Sequence, residues 1–397
     1  MAKVLISFVG TGAPNDRREY RTATYEMEGK QNTTSFMAAA LTDMCQVDKL
    51  ILIGTTHSMW EEVYRHFSEK NNRECKDDVY CEVADFCGSA TAETAPEIPH
   101  KKEIEEAVGN AHIAIIRYGI TEGEIEENVE TILKLQDQFS NGDEIIVDIT
   151  HSFRSLPLLI MNLLICLKNV SRKGVKISHV YYGMLEVARE RKVAPIVDLK
   201  SVLNITDWIV GAYSFSEYGN AYKIVELLKG TDNELASRLR HFSDDMNLNH
   251  LDALEDESIK LRSLKKKEYS PLAELIVKPV VDGFLKSLGN TNDNPALFQY
   301  RLARWQFEHM NYASSFMSAQ ESIITYECIR MNKDWSDMDV REDAKRRLRS
   351  YTWFRNLAHS RNCLAHSKET VKNAQSMIDT LRNALKEIAM RVEPKTK

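Results

Sequence analysis

The first 200 residues alternate short apolar runs with amphipathic stretches, and this alternation restricts the fold more than any other feature of the sequence. The runs of strand type are residues 3–9, 49–53, 111–118, 144–149 and 176–182. Helical segments between them are residues 34–44, 60–71, 122–139 and 156–169. Apolar strands separated by helices are typical of a parallel sheet covered on both faces. The sequence therefore predicts a doubly wound α/β domain of the Rossmann-like class.

From about residue 201 onward the strand-type runs stop, and apolar residues recur at three- and four-residue steps. The predicted helices are residues 205–218, 221–229, 233–248, 252–264, 272–288, 296–310, 312–331, 341–358 and 370–392. Pro279 lies inside one of them, so we expect a kink or a break there rather than one straight helix. The fold class is thus α/β plus all-α, with one domain at residues 1–200 and a helical domain at residues 201–397.

Composition excludes several classes of protein. Apolar residues make up 43% and charged residues 28% of the 397 residues, as in ordinary globular proteins. Seven cysteines without CxxC spacing indicate reduced thiols in a cytoplasmic protein, and the even spacing of Cys75, Cys81 and Cys87 is too wide for a typical zinc site. A membrane span is not expected, because no uncharged apolar run reaches about 18 residues. A secretory signal is not expected either, because the N-terminal residues lack a long apolar stretch with a small-residue cleavage site.

The net charge of −6 argues against a protein that coats nucleic acid through its overall field. One local exception is the segment at residues 345–361, which holds six basic residues and no acidic one. A charge run of this kind is more often a solvated helix face than a binding surface, and charge alone favours that interpretation here.

The loops that follow the predicted strands are the candidate ligand-binding residues, because ligands of doubly wound sheets bind beyond the carboxyl ends of the strands. The candidates are Gly10, Thr11 and Gly12 after the first strand, Thr55, His57, Ser58 and Trp60 after the second, Thr150, His151, Ser152 and Arg154 after the fourth, and Gly183 and Met184 after the fifth. Glycine lets backbone N–H groups approach a phosphate, Arg154 offers a bidentate phosphate contact, and Trp60 offers a stacking face for a base. Alternatively, Thr150 or Ser152 simply caps the helix that starts at Leu156.

Two common nucleotide motifs are missing from these loops. The first loop lacks the third glycine of G-x-G-x-x-G, which disfavours a nicotinamide cofactor, and no phosphate-binding P-loop pattern supports an ATPase. Instead, the string VDITHSFRSLP at residues 147–157, with the early GTG turn and GTTHSMW at residues 54–60, resembles the CARF domain of CRISPR-associated ancillary proteins. The family mark is Asp148, Thr150 and His151, with Ser152 where many relatives carry glycine.

The resemblance covers roughly residues 1–200. It implies a Rossmann-like, dimeric sensor of the cyclic oligoadenylate that type III CRISPR complexes make. Cyclic tetra-adenylate is the favoured activator, and cyclic hexa-adenylate is the other possibility. No further cofactor is implied.

In the helical half, Arg361-Asn362-x-x-x-His366 has the residue types of a metal-free RNA-cleaving site. Histidine moves protons near neutral pH, and arginine stays charged and stabilises a phosphorane. Five residues of a regular helix place Arg361 and His366 about 140° apart, so such a site needs a helix bend or a second copy across a dimer axis.

The segment is similar to the RN-x-x-x-H signature of HEPN ribonucleases. That resemblance implies that Arg361 and His366 are catalytic and that Asn362 orients them, in a cleft shared by two protomers. Arg355 and His359 form an off-pattern pair, which we treat as RNA-binding or structural candidates.

The two halves together predict a homodimeric, cyclic-oligoadenylate-activated endoribonuclease that cuts single-stranded RNA without a metal and leaves a 2′,3′-cyclic phosphate. Assembly above the dimer stays open. Two alternatives remain. In one, the helical half only dimerises or contacts a partner protein. In the other, the sensor domain itself degrades its activator, with turnover dependent on Thr11, Ser58 or Thr150.

Overall fold

The chain forms two compact units, Met1–Asn204 and Ile205–Lys397, in a computed structural model. The structure describes residues 1–12, 20–151, 155–263, 271–289, 294–366 and 373–393, although the side chains of residues 365 and 366 are not part of that description. The boundary between the units falls within one helix, Lys200–Tyr218.

An eight-stranded sheet forms the first unit, in the order β3-β2-β8-β7-β6-β1-β4-β5. The strands are β1 (Lys3–Phe8), β2 (Ala23–Met27), β3 (Lys30–Thr34), β4 (Lys49–Gly54), β5 (Ala111–Ile115), β6 (Glu144–Asp148), β7 (Lys176–Gly183) and β8 (Ala194–Asp198). β7, β6, β1, β4 and β5 run parallel to their neighbours in that series, as predicted. Chain order reverses around β1, between β6 and β4, so this is a switch point at which ligands bind in doubly wound sheets.

Helices cover both faces of this sheet. They are α1 (Met37–Cys45), α2 (Trp60–Lys70), α3 (Asp77–Ser89), α4 (Lys101–Val108), α5 (Glu122–Lys134), α6 (Leu156–Asn169) and α7 (Leu185–Arg191). Alternate residues of β1 enter different apolar clusters: Val4 and Ile6 pack with α5 and α6, whereas Leu5 packs with Met37 of α1. Burial on both sides explains why the central strands are apolar throughout.

The outer part of the sheet differs from the prediction of an all-parallel sheet. β2 pairs antiparallel with β3, and β8 pairs antiparallel with β7. β2, β3 and β8 were not predicted, because β2 and β3 each bury a single residue, Tyr25 and Thr34 respectively, and lack an apolar run. The turn between β2 and β3 is Glu28-Gly29, with both φ angles positive, as in the two-residue hairpins that fit strand twist.

The second unit is helical over its described residues. After α8 (Lys200–Tyr218), which it shares with the first unit, its helices are α9 (Tyr222–Leu228), α10 (Asn233–Leu248), α11 (Leu251–Ser263), α12 (Lys278–Leu288), α13 (Pro295–Glu308), α14 (Tyr312–Arg330), α15 (Met338–Leu348), α16 (Thr352–His366) and α17 (Ala374–Val392). A π-helical turn, Ala273–Val277, precedes α12. It interrupts the regular helix just before Pro279, as expected for a ring that lacks an N–H and clashes with the preceding turn.

The predicted single helix at residues 341–358 is wrong: α15 and α16 are separate helices with a turn at residues 349–351. Ala344 and Leu348 face the same apolar cluster as Phe354 and Leu357. The step from Leu348 to Phe354 is six residues, which no straight helix brings to one face. The turn between α15 and α16 rotates the chain so that Phe354 and Leu357 face the same apolar cluster as Ala344 and Leu348.

Two apolar clusters hold the helical unit together, and α13 contributes to both. Phe298 and Trp305 belong to the cluster formed with α8 to α12, and Tyr300 belongs to the one formed with α14 to α17. α14 approaches α13 closely through buried serines, since the Ser315 and Ser322 hydroxyls each donate to an α13 carbonyl at 2.7 Å.

Candidate functional site

A cavity of about 670 Å³ opens at the carboxyl edge of the sheet, where β1, β4 and β6 end. Seven of the residues predicted to bind a ligand line it: Gly10, Thr11, Gly12, Thr55, Ser58, Thr150 and His151. They come from three loops that are far apart in sequence, and the switch point brings them together. The three loops therefore form one site.

Hydrogen bonds divide the hydroxyl groups of this cavity into two sets. The Ser58 hydroxyl donates to the Val9 carbonyl at 2.7 Å, and the Thr150 hydroxyl accepts from the Gly183 N–H at 2.8 Å. These two side chains hold their loops in place. Thr55, by contrast, is only 1% exposed, and its Oγ1 has no hydrogen-bond partner among the described residues. A buried hydroxyl without a partner is costly, and Thr55 is the hydroxyl of these loops whose hydrogen-bonding capacity is unused among the described residues.

A buried polar network around Asp148 supports the loop that carries the cavity-lining residues Thr150 and His151. The Asp148 carboxylate accepts from the Ser7 hydroxyl at 2.5 Å and from the Thr150 N–H at 2.8 Å. Complete burial raises the pKa of Asp148 above its usual value. Burial also lowers the pKa of His151, whose Nε2 lies 3.1 Å from the Tyr25 hydroxyl. A neutral imidazole is therefore the favoured form of His151, and this loop presents hydrogen-bonding groups rather than a cation.

Glycine is required at two points near the cavity. Gly12 has φ +66°, and a Cβ there would lie 2.4 Å from the Tyr20 ring. At Gly54, a Cβ would lie 2.7 Å from the indole of Trp60. Larger residues at either position would displace the loops that line the site.

The stacking role predicted for Trp60 does not hold in this structure, because the residue is fully buried and its Nε1–H donates to the Thr55 carbonyl at 2.8 Å. Its indole packs inside the protein and holds the loop after β4 through this hydrogen bond. His57 also points elsewhere, with Nδ1 2.6 Å from the Cys87 carbonyl. Neither residue lines the cavity.

Gly183 and Met184 do not line the cavity. The Gly183 N–H is bound to Thr150, and the Met184 N–H donates to the Pro195 carbonyl at 3.0 Å. Ser152 and Arg154 lie outside the described residues.

Sequence reasoning missed two cationic residues of the site. Arg21, just before β2, and Arg189, in α7, are exposed and line the cavity. Tyr25 of β2 lines it too. The sequence did carry a signal for the β2–β3 hairpin. The turn-forming residues Glu28-Gly29-Lys30 lie between two stretches of β-branched and aromatic residues, and this pattern is typical of a hairpin. Placing the hairpin would have directed attention to Arg21.

The R-N-x-x-x-H segment lies at the end of α16, which continues without a break to His366. Arg361 is partly exposed and its Nη1 lies 3.4 Å from the Asn362 Oδ1. The His366 side chain lies outside the described part of the structure. An unbroken helix keeps Arg361 and His366 about 140° apart around the axis, so within one protomer they do not share a face.

The neighbours of this motif have identifiable structural contacts. The Arg355 guanidinium donates to the carbonyls of Arg349 and Ser350 and to the Thr352 hydroxyl, and so closes the turn between α15 and α16. His359 is exposed, with its Nε2 3.6 Å from the buried Cys363 Sγ one helical turn on.

Among the residues that the structure describes, no three His, Cys, Asp or Glu side chains cluster in a way that could hold a metal ion. Within the same ranges, no helix combines the length and the apolar character needed to cross a membrane.

Comparison with known families identifies the first unit. Residues 4–186 match the family model described as "CRISPR system endoribonuclease Csx1, CARF domain". The α/β unit is thus a CARF domain, and the chain is a CARF-containing, CRISPR-associated ancillary protein. Residues 204–293, in the helical unit, match the model described as "CRISPR-associated protein MJ1674, second domain".

A particular relative is CRISPR-associated protein MJ1674 of Methanocaldococcus jannaschii, to which the chain is 35% identical over 348 residues. The alignment covers 83% of this chain and 54% of MJ1674, so the chain spans about half the length of this curated relative. A solved structure, Enterococcus italicus Csm6 bound to cyclic hexa-2′-fluoro-hexa-dAMP, aligns over 99% of this chain and 94% of that one. The sequence identity between the two chains is 12%, and the TM-score is 0.39.

Proposed function

We propose that this protein is a cyclic-oligoadenylate-activated endoribonuclease of type III CRISPR defence. Its CARF domain binds the activator, and its helical unit cuts single-stranded RNA. The observation that carries the proposal is the cavity at the carboxyl edge of the CARF sheet, where Thr55, Thr150, His151 and the loop at residues 10–12 converge.

The groups around this cavity suit a ligand with phosphates, riboses and adenines. Arg21 and Arg189 offer guanidinium donors for phosphate oxygens, and the backbone near Gly10 and Gly12 permits close approach. Thr55 offers a buried hydroxyl to a ribose or a base edge. Neutral His151 adds a hydrogen-bonding group without adding charge.

Two-fold symmetry is part of the proposal, since a cyclic oligoadenylate with an even number of units can be shared by two copies of one site. α6 supports it. The helix carries no charged residue from Leu156 to Leu167, yet it exposes Leu158. An uncharged helix that exposes a leucine on its outer face, beside the single polar side chain of Asn162, is suited to packing against another surface. A second CARF domain against this surface would cover it and bring the two cavities to one axis.

Arg361 and His366 would cut RNA across the same axis, each pair completed by the partner copy. The 2′-hydroxyl attacks the adjacent phosphorus while one histidine takes its proton, and the bond to the 5′ oxygen breaks as that oxygen receives a proton from the histidine of the partner copy or from water. The products are a 2′,3′-cyclic phosphate and a 5′-hydroxyl. Arg361 would stabilise the charge of the phosphorane, a role that a permanently charged guanidinium suits.

The decisive experiment is cleavage of a fluorescent single-stranded RNA in EDTA, with and without cyclic tetra-adenylate or cyclic hexa-adenylate, alongside calorimetric titration of each ring. We expect the RNA to be cleaved in the presence of only one of the two cyclic oligoadenylates, and the cleaved RNA to end in a 2′,3′-cyclic phosphate. Tight binding without cleavage would favour a sensor whose helical unit contacts another protein. Shortening of the ring itself would favour activator turnover by the CARF domain.

A further inference from the structure

Helix α8 (Lys200–Tyr218) has two apolar faces, one buried and one exposed. One face is inside the protein, where Trp208, Ala212 and Phe215 are buried and Phe215 packs in the aromatic core of the helical unit. That face needs no further partner. The other face is the unusual one, because it is apolar and in contact with solvent.

The exposed face carries Ile205, Ile209 and Tyr213, which are 36%, 55% and 60% exposed. Their four-residue spacing aligns them on one side of the helix, and we call them the α8 stripe. From residue 201 to residue 216 the only charged residue is Asp207, which is buried and lies 3.7 Å from Lys223 Nζ. The stripe therefore has no formal charge over about four turns.

The arrangement of the stripe is symmetric about its centre. At 100° per residue, Ile205 and Tyr213 lie about 40° to either side of Ile209. Val202 and Ser216 lie about 20° from Ile209 around the helix axis, one on each side. A two-fold axis through Ile209 would set Ile205 of one copy against Tyr213 of an antiparallel partner, and Ile209 against its own copy.

We propose that the α8 stripe is a self-association surface that packs against the α8 stripe of a second copy of this chain. Identical surfaces that meet about a two-fold axis set like charge against like wherever charge is present, and this surface has none. Its three partly exposed side chains are too few to supply the roughly 800 Å² that each partner contributes to a standard interface. The stripe would thus form the centre of a larger contact. The inference rests on the homodimer of the proposed function and assigns it a second surface besides α6.

The test is the oligomeric state of the full chain by sedimentation over a concentration series. In Ile209→Glu, two carboxylates would face each other at the axis, and we expect the dimer dissociation constant to rise at least ~100-fold, which corresponds to about 2.7 kcal/mol. Ile259→Glu is the matched control, because Ile259 in α11 is an isoleucine of the helical unit with the same 55% exposure as Ile209. It should leave the dissociation constant unchanged. Far-ultraviolet circular dichroism checks that both variants fold.

Cross-linking tests the antiparallel geometry directly. In a Cys81→Ser background, which removes the exposed native thiol, Ile209→Cys should form a covalent dimer on mild oxidation. Leu248→Cys is the control, since position 248 is exposed but lies outside α8. A covalent dimer from Ile209→Cys alone supports the inference.

Three results would overturn the inference. They are a wild-type chain that stays monomeric, an Ile209→Glu variant that stays dimeric, and an Ile209→Cys variant that does not cross-link. If the stripe binds a different protein or a further segment of a longer chain, at least one of them follows. Titration of the wild-type protein with cyclic tetra-adenylate and with cyclic hexa-adenylate separates this failure from that of the proposed function, because binding of one ring would persist in the first case and binding of both would be absent in the second.

Discussion

The buried hydroxyl of Thr55 shows how a single residue can mark a ligand site. The neighbouring hydroxyls of Ser58 and Thr150 are used to hold loops, and such groups are ordinary in any fold. An unpartnered hydroxyl that is 1% exposed and lines a cavity is not ordinary, because most buried polar groups are hydrogen-bonded. Its stability cost is explained if a ligand accepts or donates the missing bond.

Thr55→Val tests this role, since valine has nearly the same shape and removes only the hydroxyl. We expect the affinity for the cyclic oligoadenylate to fall about tenfold, as for one lost hydrogen bond, with no loss of stability. Calorimetric titration and thermal unfolding measure the two effects. Ser58→Ala is the contrasting variant, because it removes a structural hydrogen bond and should lower the melting temperature. Unchanged affinity in Thr55→Val would contradict the assignment.

His66 gives a second prediction at this scale. Its ring packs edge-on against Phe36 and Phe67, and its Nε2 has no hydrogen-bond partner among the described residues. Burial lowers the pKa of His66 below the 6.5 of a free histidine. The folded state thus prefers neutral His66. The stability this contributes is present above the unfolded-state pKa and is lost as the pH falls below about 6.5.

The measurement is the urea midpoint of unfolding between pH 7.5 and 5.5. His66→Gln should flatten the decline of stability in this range, by at most about 1.4 kcal/mol per pH unit. His100→Gln is the opposite control. Hydrogen bonds to Glu82 and Glu103 raise the pKa of His100, so this residue adds stability as the pH falls, and its removal should steepen the decline. Equal slopes in wild type and His66→Gln would refute the assignment.

At the scale of elements, the short turn between α15 and α16 brings the R-N-x-x-x-H segment to its place. Arg355 closes this turn with three hydrogen bonds. Arg355→Lys keeps the charge but loses the planar donor set, so we expect a loss of about 1 kcal/mol in unfolding free energy. Arg346→Lys, on the exposed face of α15, should change it by much less.

Thermal unfolding compares the two arginine variants, and RNA binding by fluorescence anisotropy separates structure from recognition. A stable Arg355→Lys variant with weakened RNA binding would instead favour direct contact of Arg355 with RNA.

The sequence predicted strands with a continuous apolar run and helices with one apolar side. It did not predict strands that lack an apolar run. β1, β4, β5, β6 and β7 were found because both faces are buried, and α6 and α10 because their apolar positions recur regularly. β2 and β3 were missed because they bury little, and Arg21 was missed with them. Trp60 was misjudged for a different reason: its position after a strand indicated the ligand, but only packing shows that its ring is buried.

At the scale of the whole molecule, the proposed function assigns sensing to one unit and cleavage to the other. His366→Ala should abolish RNA cleavage and leave the affinity for the activator near wild type, because it removes the proton-transfer group alone. Thr55→Val should instead shift the activator concentration needed for cleavage and leave the maximal rate unchanged. RNA cleavage measured across an activator titration distinguishes the two. If both variants lost the maximal rate, the division of labour between the units would be wrong.

The position of β1 in the sheet has a consequence for synthesis of the chain. β1 lies between β4 and β6, and its Ser7 is bonded to Asp148, 141 positions further along. At about 5–20 residues per second, the ribosome needs on the order of ten seconds to make the segment between them. Throughout that interval the apolar residues of β1 have an open edge on the β6 side, which is a site for wrong pairing. We therefore expect the nascent chain to be most prone to aggregation in the interval before β6 emerges.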